Sequence, residues 1–295
     1  MTSNLLDELA PSRPRNNFVM GLLRFSKNPL AVIGSVILIF FVLVTAFARQ
    51  IAPYDPNLQV MKDRLKPPSA QYLMGTDKLG RDVLSRSIMA CQVSLTIGLF
   101  AMLISMVVGV GVGVIAGFYG GVLDNVLMRI TDLFLSFPIF FLLLTIAAVF
   151  GPNITTIILM LGLTSWGSTA RIMRGMVLSI RETSYIEAAR SIGVKNSRII
   201  IRHVLINSLS VITVTATLMV AYAILVEGGL SYLGLGVQPP TPSWGNMMAD
   251  GRDVLRIAWW PSLVPGAFLL VVVIAFNLLG DGLRDFFDPA KAIFK

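Results

Sequence analysis

The sequence predicts an all-α integral membrane protein with six transmembrane helices, and three observations carry that prediction. Of its 295 residues 55% are hydrophobic and only 14% charged, against roughly 25% charged in ordinary soluble domains; the mean hydropathy is +0.76. The apolar residues come in long uncharged runs, not at the periods of two or 3.6 that mark half-buried strands and helices. Lysine and arginine, finally, fall unequally on the two sides of those runs.

Taken in order, positions 1–29 are polar and carry Arg13, Arg15, Arg24 and Lys27, as expected of a cytoplasmic N-terminal segment. The first span covers 30–48. Its run exceeds the roughly 7–15 residues of a signal-peptide core and shows no small-residue cleavage site, so it reads as an uncleaved anchor. Positions 49–90 are too charged to span and contain Pro53, Pro56, Pro67 and Pro68, which predicts a folded external excursion. Positions 91–280 form a five-helix core with spans near 92–117, 130–150, 154–172, 204–227 and 257–280. The uncharged stretch from Leu133 to Ala170 is too long for one crossing, since about 20 residues rising 1.5 Å each cover a hydrocarbon core of about 30 Å. Gly151-Pro152-Asn153 divides it, because proline lacks a backbone donor and its neighbours favour turns. A second outer segment, Ser231 to Arg256, holds Gln238-Pro239-Pro240-Thr241-Pro242, a stiff stretch that cannot be helical. Positions 281–295 form a C-terminal tail.

With the N-terminus inside, 15 of the 24 lysines and arginines lie on the inner side. The bias places both termini in the cytoplasm and accounts for most of the net charge of +8 without nucleic acid. The single cysteine, Cys91, permits no internal disulfide.

Within the second span Ala101, Ser105, Gly109, Gly113 and Gly117 recur every fourth residue, a ridge of small side chains on which another helix can approach closely. Gly109, Gly111 and Gly113 are no dinucleotide fingerprint, since no strand precedes a helix in an apolar span.

The loop at 174–203 contains Ser184-Tyr185-Ile186-Glu187-Ala188-Ala189-Arg190-Ser191-Ile192-Gly193-Val194. Ser184 with Glu187 three residues on predicts a capping box, and Gly193 suits the left-handed position that ends a helix. Asn196 is placed to cap a second helix running through Arg202. Tyr185, Ala188, Ala189 and Ile192 are expected on one face, where small alanines allow a cytoplasmic partner to dock closely. A DNA-binding helix-turn-helix is excluded, because some 30 residues tethered between two spans leave no room for the third helix of its core.

Glu187-Ala188-Ala189-x3-Gly193, with Leu205 further on, resembles the EAA loop of ABC importer permeases. Three more blocks resemble the second, C-type permease subunit of dipeptide, oligopeptide and nickel importers. They are Met74-Gly75-Thr76-Asp77-x2-Gly80-Arg81-Asp82-Val83-Leu84-Ser85-Arg86, Leu233 to Gly245, and Asn277-Leu278-x-Gly280-Asp281-Gly282-Leu283-Arg284-Asp285. The likeness covers nearly the whole chain. It implies a type I ABC importer transmembrane domain in a bacterial or archaeal inner membrane, with a coupling helix in which Tyr185, Glu187, Ala188, Ala189, Arg190 and Gly193 meet the ATPase. It also implies a second homologous permease, two ATP-binding subunits and an extracytoplasmic solute-binding protein as partners, with ATP and magnesium on the partners and no cofactor on this chain. Peptides lead among the implied solutes, with nickel chelates or sugars as alternatives. One departure is Ile206, where the family has proline; isoleucine can extend the helix into the fifth span.

The residue inventory excludes several chemistries. One histidine and one cysteine supply no zinc signature and no Cys/His pair. No glycine precedes a lysine, so there is no P-loop and this chain is no ATPase. His203, where the loop rejoins the membrane, reads as an interfacial residue and not a proton relay. Leu279-Gly280-Asp281-Gly282 lacks the second aspartate at depth that an intramembrane protease needs. Glu227 stands at the outer end of an otherwise uncharged helix, a candidate pathway or gate residue unless the nearby interface merely solvates it. An ion-coupled secondary transporter would bury ionisable groups and interrupt helices at mid-membrane; the sequence gives no sign of either.

Overall fold

The computed structural model describes residues 17–287; positions 1–16 and 288–295, outer parts of the two expected tails, lie outside the described residues. Every regular element among the described residues is helical. Helix α1 (Asn17–Lys27) precedes α2 (Pro29–Ala46) and the single turn α3 (Ala48–Ile51). An irregular segment leads to α4 (Val83–Tyr119), α5 (Gly121–Ser136), α6 (Ile139–Phe150) and α7 (Ile154–Arg181). The loop elements are α8 (Ser184–Ser191), α9 (Asn196–Ile199), a π-helical turn (Ile200–Val204) and α10 (Leu205–Asn207). Then come α11 (Leu209–Tyr232), α12 (Trp244–Arg252) and α13 (Trp260–Phe287).

Among the described residues four helices are long and apolar enough to cross a membrane: α2, α4, α11 and α13; the pair α5–α6 makes a fifth if its two pieces count as one span. The expected 130–150 span is therefore not one rod. Its halves meet at 80° across Phe137 and Pro138, where proline removes a donor and holds the residue before it out of the helical region. This interruption went unread in the sequence. The expected 154–172 span lies in α7, whose 28 residues are long enough but diluted by threonine, serine, glycine and arginine.

The second span begins earlier than the expected 92. Asp82 caps α4 by accepting from the Ser85 backbone N–H at 2.7 Å and the Ser85 hydroxyl at 2.6 Å, so the helix starts at Val83 and carries Arg86 inside it. That arginine is 1% exposed. It donates to the Pro56 carbonyl at 3.2 Å and faces the Asp77 carboxylate at 3.8 Å. A compensated charge does not end a helix, whereas the uncharged run starts only at Ser87.

The small-residue ridge of α4 is buried along its length and packs on α7. A Cβ on Gly113 would lie 2.5 Å from the Ala170 carbonyl oxygen and 2.6 Å from Met173 Cβ; on Gly109 it would lie 2.8 Å from the Trp166 carbonyl oxygen. Backbone thus meets backbone, the close approach that small residues permit. Helix α13 packs against α2 and α11, with Gly34 set against the Ala275 carbonyl.

The segment between α3 and α4 is tied down by polar bonds. Asp77 accepts from Arg81 Nε at 2.6 Å and from the backbone of Leu79 and Arg81. Asp250 of α12 receives Lys78 at 2.8 Å and Arg81 at 3.3 Å. Trp260 Nε1 donates to the Thr76 carbonyl, and Trp244 Nε1 to that of Ser87. The block from Met74 to Arg86 is thereby a clasp joining α4, α12 and α13.

Candidate functional site

The loop between α7 and α11 folds as two helical pieces, but its caps differ from those expected. Helix α8 runs Ser184–Ser191 with Thr183 at the cap position and no side-chain cap bond. The Ser184–Glu187 capping box does not form, because the helix starts one residue early and the Thr183 hydroxyl turns back to the Ile180 carbonyl at 2.6 Å. Asn196 likewise lies inside α9, with Lys195 at the cap position and no side-chain bond. The C-terminal expectation holds. Gly193 has φ +76°, its N–H donates to Arg190 and that of Val194 to Ala189, the paired bonds of a Schellman ending.

The four residues expected on one face divide. Tyr185 and Ile192 are exposed, at 43% and 81%, with Ala188 beside them, whereas Ala189 turns inward with fully buried Ile186. Ile186 and Ile199 join Val114 and Phe118 of α4 and Met173 and Val177 of α7 in one apolar cluster. The Arg190 guanidinium lies over the Phe118 ring at 4.9 Å, a cation–π contact that sets α8 on the end of α4. The Tyr185 hydroxyl accepts from Asn207 at 3.3 Å, and its ring faces His203 at 6.2 Å. Glu187 stands in the first turn of α8, where an acid complements the helix dipole.

Ile206 does continue the helix, but through a π-helical turn before it and a break at Ser208 after it. The Ser208 N–H is shared between the Val204 and Leu205 carbonyls, and its hydroxyl bonds Val204. Such turns distort a helix where its register must change.

Glu227 is not solvated by the interface. It is completely buried, and its carboxylate accepts from Ser231 of α11 at 2.6 Å and Ser94 of α4 at 3.1 Å. The Ser231 hydroxyl accepts from the Val237 N–H in turn. Across this hub the proline-rich loop between α11 and α12 is fastened to two long helices, while Asn246 holds the Val237 and Thr241 carbonyls from the far side. Ser231 and Ser94 carried no sequence signal of their own. Their one hint was the cost of a lone buried carboxylate, which demands donors.

The packed pair α4 and α7, with the clasp at one end and the docked loop helix at the other, contains no catalytic constellation among the described residues; nor do those residues hold a metal-binding group of three or more. The profile of binding-protein-dependent transport system inner membrane components matches residues 109–293. That of the N-terminal transmembrane domain of oligopeptide transport permease C matches residues 18–68. The chain belongs to the family of binding-protein-dependent transport system inner membrane components, the permease subunits of ABC importers. It is 38% identical over 268 residues to the oligopeptide transport system permease protein OppC of Bacillus subtilis, covering 91% of this chain and 88% of that protein. It is 40% identical over 267 residues to the glutathione transport system permease protein GsiD of Escherichia coli, covering 90% and 88%. The MetNI methionine ABC transporter, solved in inward-facing conformations, superposes with a TM-score of 0.52 at 20% identity, over 64% of this chain and 90% of that one; this supports the fold alone.

Proposed function

We propose that this chain is one of two related permease subunits of a di- or oligopeptide importer, set over two ATPase subunits and supplied by an extracytoplasmic binding protein. The observation that carries the reading is α8. It is closed by a Schellman turn and rooted on α4 and α7 through Ile186 and Arg190, and it leaves Tyr185, Ala188 and Ile192 outward for a partner. In this reading Glu187 supports the first turn through the helix dipole, Gly193 sets the exit angle, and the ATPase cleft receives the outward face. Peptide as the solute rests on the names of the relatives. Both termini and the 174–203 loop are assigned to the cytoplasm on the lysine and arginine bias. An impermeant thiol reagent on intact cells should label Ser69→Cys and spare Ser197→Cys, in a Cys91→Ala background; the opposite pattern reverses the topology.

The coupling assignment is tested with reconstituted complexes. Gly193→Val places a β-branched side chain at positive φ and should abolish most binding-protein-stimulated ATP hydrolysis and transport, while the solute affinity of the separate binding protein stays unchanged. Full stimulation with full transport in that variant would sink the assignment.

A further inference from the structure

Past α8, the limb of the loop that returns to α11 carries a groove of about 430 Å³ lined by Ser197, Arg198, Ile201, Arg202 and Ile206. The reverse side of this limb is occupied: Ile199 and Val204 are fully buried in the cluster that holds Met173 and Val177 of α7. The groove side is uncovered, with Ile201 65% and Ile206 56% exposed. Arg198 and Arg202 are exposed as well, and neither has a carboxylate partner among the described residues. Arg171, Arg174 and Arg181 of the neighbouring α7 each reach one. Two uncompensated guanidinium groups beside two exposed isoleucines suit an occupant that is anionic at one end and apolar at the other. Position along the chain says which. The uncharged run that follows extends from Val204 to Val226, and a hydrocarbon core of about 30 Å takes about 20 residues of it. Arg202 therefore stands just outside the core, within side-chain reach of the headgroups, with Arg198 one turn further out. Ile206, three residues before α11 begins, lies at the edge of the core.

From these observations we infer that the groove binds the headgroup of an anionic phospholipid in the leaflet that the coupling loop faces. The inference rests on the permease reading above, which makes α11 a span and the loop cytoplasmic. The guanidinium groups of Arg198 and Arg202 donate to the phosphodiester oxygens, Ser197 adds a hydroxyl donor, and Ile201 and Ile206 lie against the glycerol and the first methylenes. A zwitterionic lipid brings its own ammonium group beside the phosphate, which the same arginines repel, so the site selects lipids of net negative charge. Because Ile199 and Val204 are packed on α7 from the other side, a lipid held here fixes the limb between α7 and the bilayer surface. The segment that follows α8 then has a footing in the membrane as well as in the protein.

The test uses the complete transporter in nanodiscs of phosphatidylcholine that contain a trace of photoactivatable lipid, with a diazirine on the acyl chain next to the glycerol. Two probes are compared, phosphatidylglycerol and phosphatidylcholine, alike except in the headgroup, and adducts are mapped by proteolysis and mass spectrometry. Phosphatidylglycerol should label 195–207 at least about tenfold more than phosphatidylcholine, since each basic residue near the surface favours the anionic lipid severalfold. Arg198→Gln combined with Arg202→Gln should bring its labelling down to the phosphatidylcholine level, and the double lysine variant should restore most of the excess. Excess inorganic phosphate should not compete; competition would mean a free-phosphate site and overturn the inference. Equal labelling by the two lipids would overturn it too, as would an excess that survives loss of both arginines. The comparison of lipids in wild type needs no variant and decides the matter if the double substitution fails to assemble. Labelling of 195–207 that appears only after the ATPase is stripped away would mean that the ATPase covers the groove, which overturns the inference equally. Binding-protein-stimulated ATP hydrolysis in the same nanodiscs reads the permease assignment. Stimulation without a phosphatidylglycerol excess removes the lipid site alone, and an excess without stimulation removes the coupling reading alone.

Discussion

Gly111 and Gly113 sit two positions apart on α4 and face opposite ways, which makes them a matched test of the seam. A Cβ on Gly111 meets nothing within 4 Å, whereas one on Gly113 would stand 2.5 Å from the Ala170 carbonyl oxygen and 2.6 Å from Met173 Cβ. Ordinary van der Waals contact needs about 3.5–4.0 Å, so Gly113→Ala forces α4 and α7 apart by about 1 Å. Neither atom it meets is the end of a flexible side chain that could swing aside. Overpacking of this kind costs about 1–3 kcal/mol. Both substitutions gain the same helix propensity, about 0.5–1 kcal/mol, so that the difference between them isolates the steric term. Gly111→Ala should be neutral or slightly stabilising and Gly113→Ala less stable than it by about 1–3 kcal/mol, with a lower yield of assembled complex. Equilibrium unfolding in mixed micelles, followed by tryptophan fluorescence, measures the difference. Equal midpoints for the two variants would refute the seam as a backbone contact.

Two further predictions concern the segment before α4 and the loop after α11. Lys66, then Tyr72, hold the Asp63 carboxyl below its ordinary range by hydrogen bonding, and the Tyr72 hydroxyl, donating to Asp63 at 2.7 Å, is pushed up to about 12. The Asp63 contribution is present above the unfolded pKa near 4 and lost as pH falls through the lower folded value; that of Tyr72 is present below pH 10 and lost toward about 12. Tyr72→Phe should therefore raise the acid midpoint of the outer segment, read by protease cleavage between Asp55 and Lys78, and an unmoved midpoint would discount the pair. Glu227→Ala leaves the Ser94 and Ser231 hydroxyls without their acceptor, at about 1–3 kcal/mol. It should expose the Leu233–Ser243 loop to proteolysis, and Glu227→Gln, which keeps an acceptor oxygen, should do so less; equal protection in wild type and Glu227→Ala would refute the hub.

Features that depend on local chemistry were legible in the sequence, and those that depend on distant partners were not. The every-fourth-residue pattern of small side chains located the α4 seam, because the helix repeat alone fixes which residues share a face. Gly193 announced its turn, since only that conformation needs glycine there. The capping box failed because Thr183 competes with Ser184 for the same role, and sequence spacing cannot choose between adjacent hydroxyls. The early start of α4 was hidden by Arg86, whose burial depends on Asp77 and Pro56, 9 and 30 positions away. Tertiary neutralisation of a charge leaves no trace in hydropathy. The elbow at Phe137–Pro138 was masked by the apolar residues on both sides, which satisfied the length rule for a span while Pro138 was breaking it.

The contacts of α8 determine where a displacement of the loop can go. Ile186 is buried among Val114, Phe118, Met173 and Val177, and Arg190 is seated on Phe118, so α8 cannot shift without carrying the ends of α4 and α7. Those two helices meet through backbone at Gly109, Gly113 and Gly117, and close-packed contacts of that kind leave no slack in which to absorb a displacement. Helix α4 then runs 37 residues, about 55 Å at 1.5 Å per residue, to the Asp82–Arg86 clasp on the other side. A push at the loop therefore reaches the segment before α4 along one unbroken rod. The elbow is held differently, by the Asp132–Arg171 and Asp124–Arg174 pairs and by Phe134 against Trp166. An exposed ion pair such as Asp132–Arg171 is weaker than a backbone seam wherever water reaches it. The elbow thus follows the stiff α4–α7 unit chiefly through the Asp124–Arg174 pair, closed by two bonds at 2.6 and 2.7 Å on a buried carboxylate, so that a displacement of that unit is passed to α5 at this point.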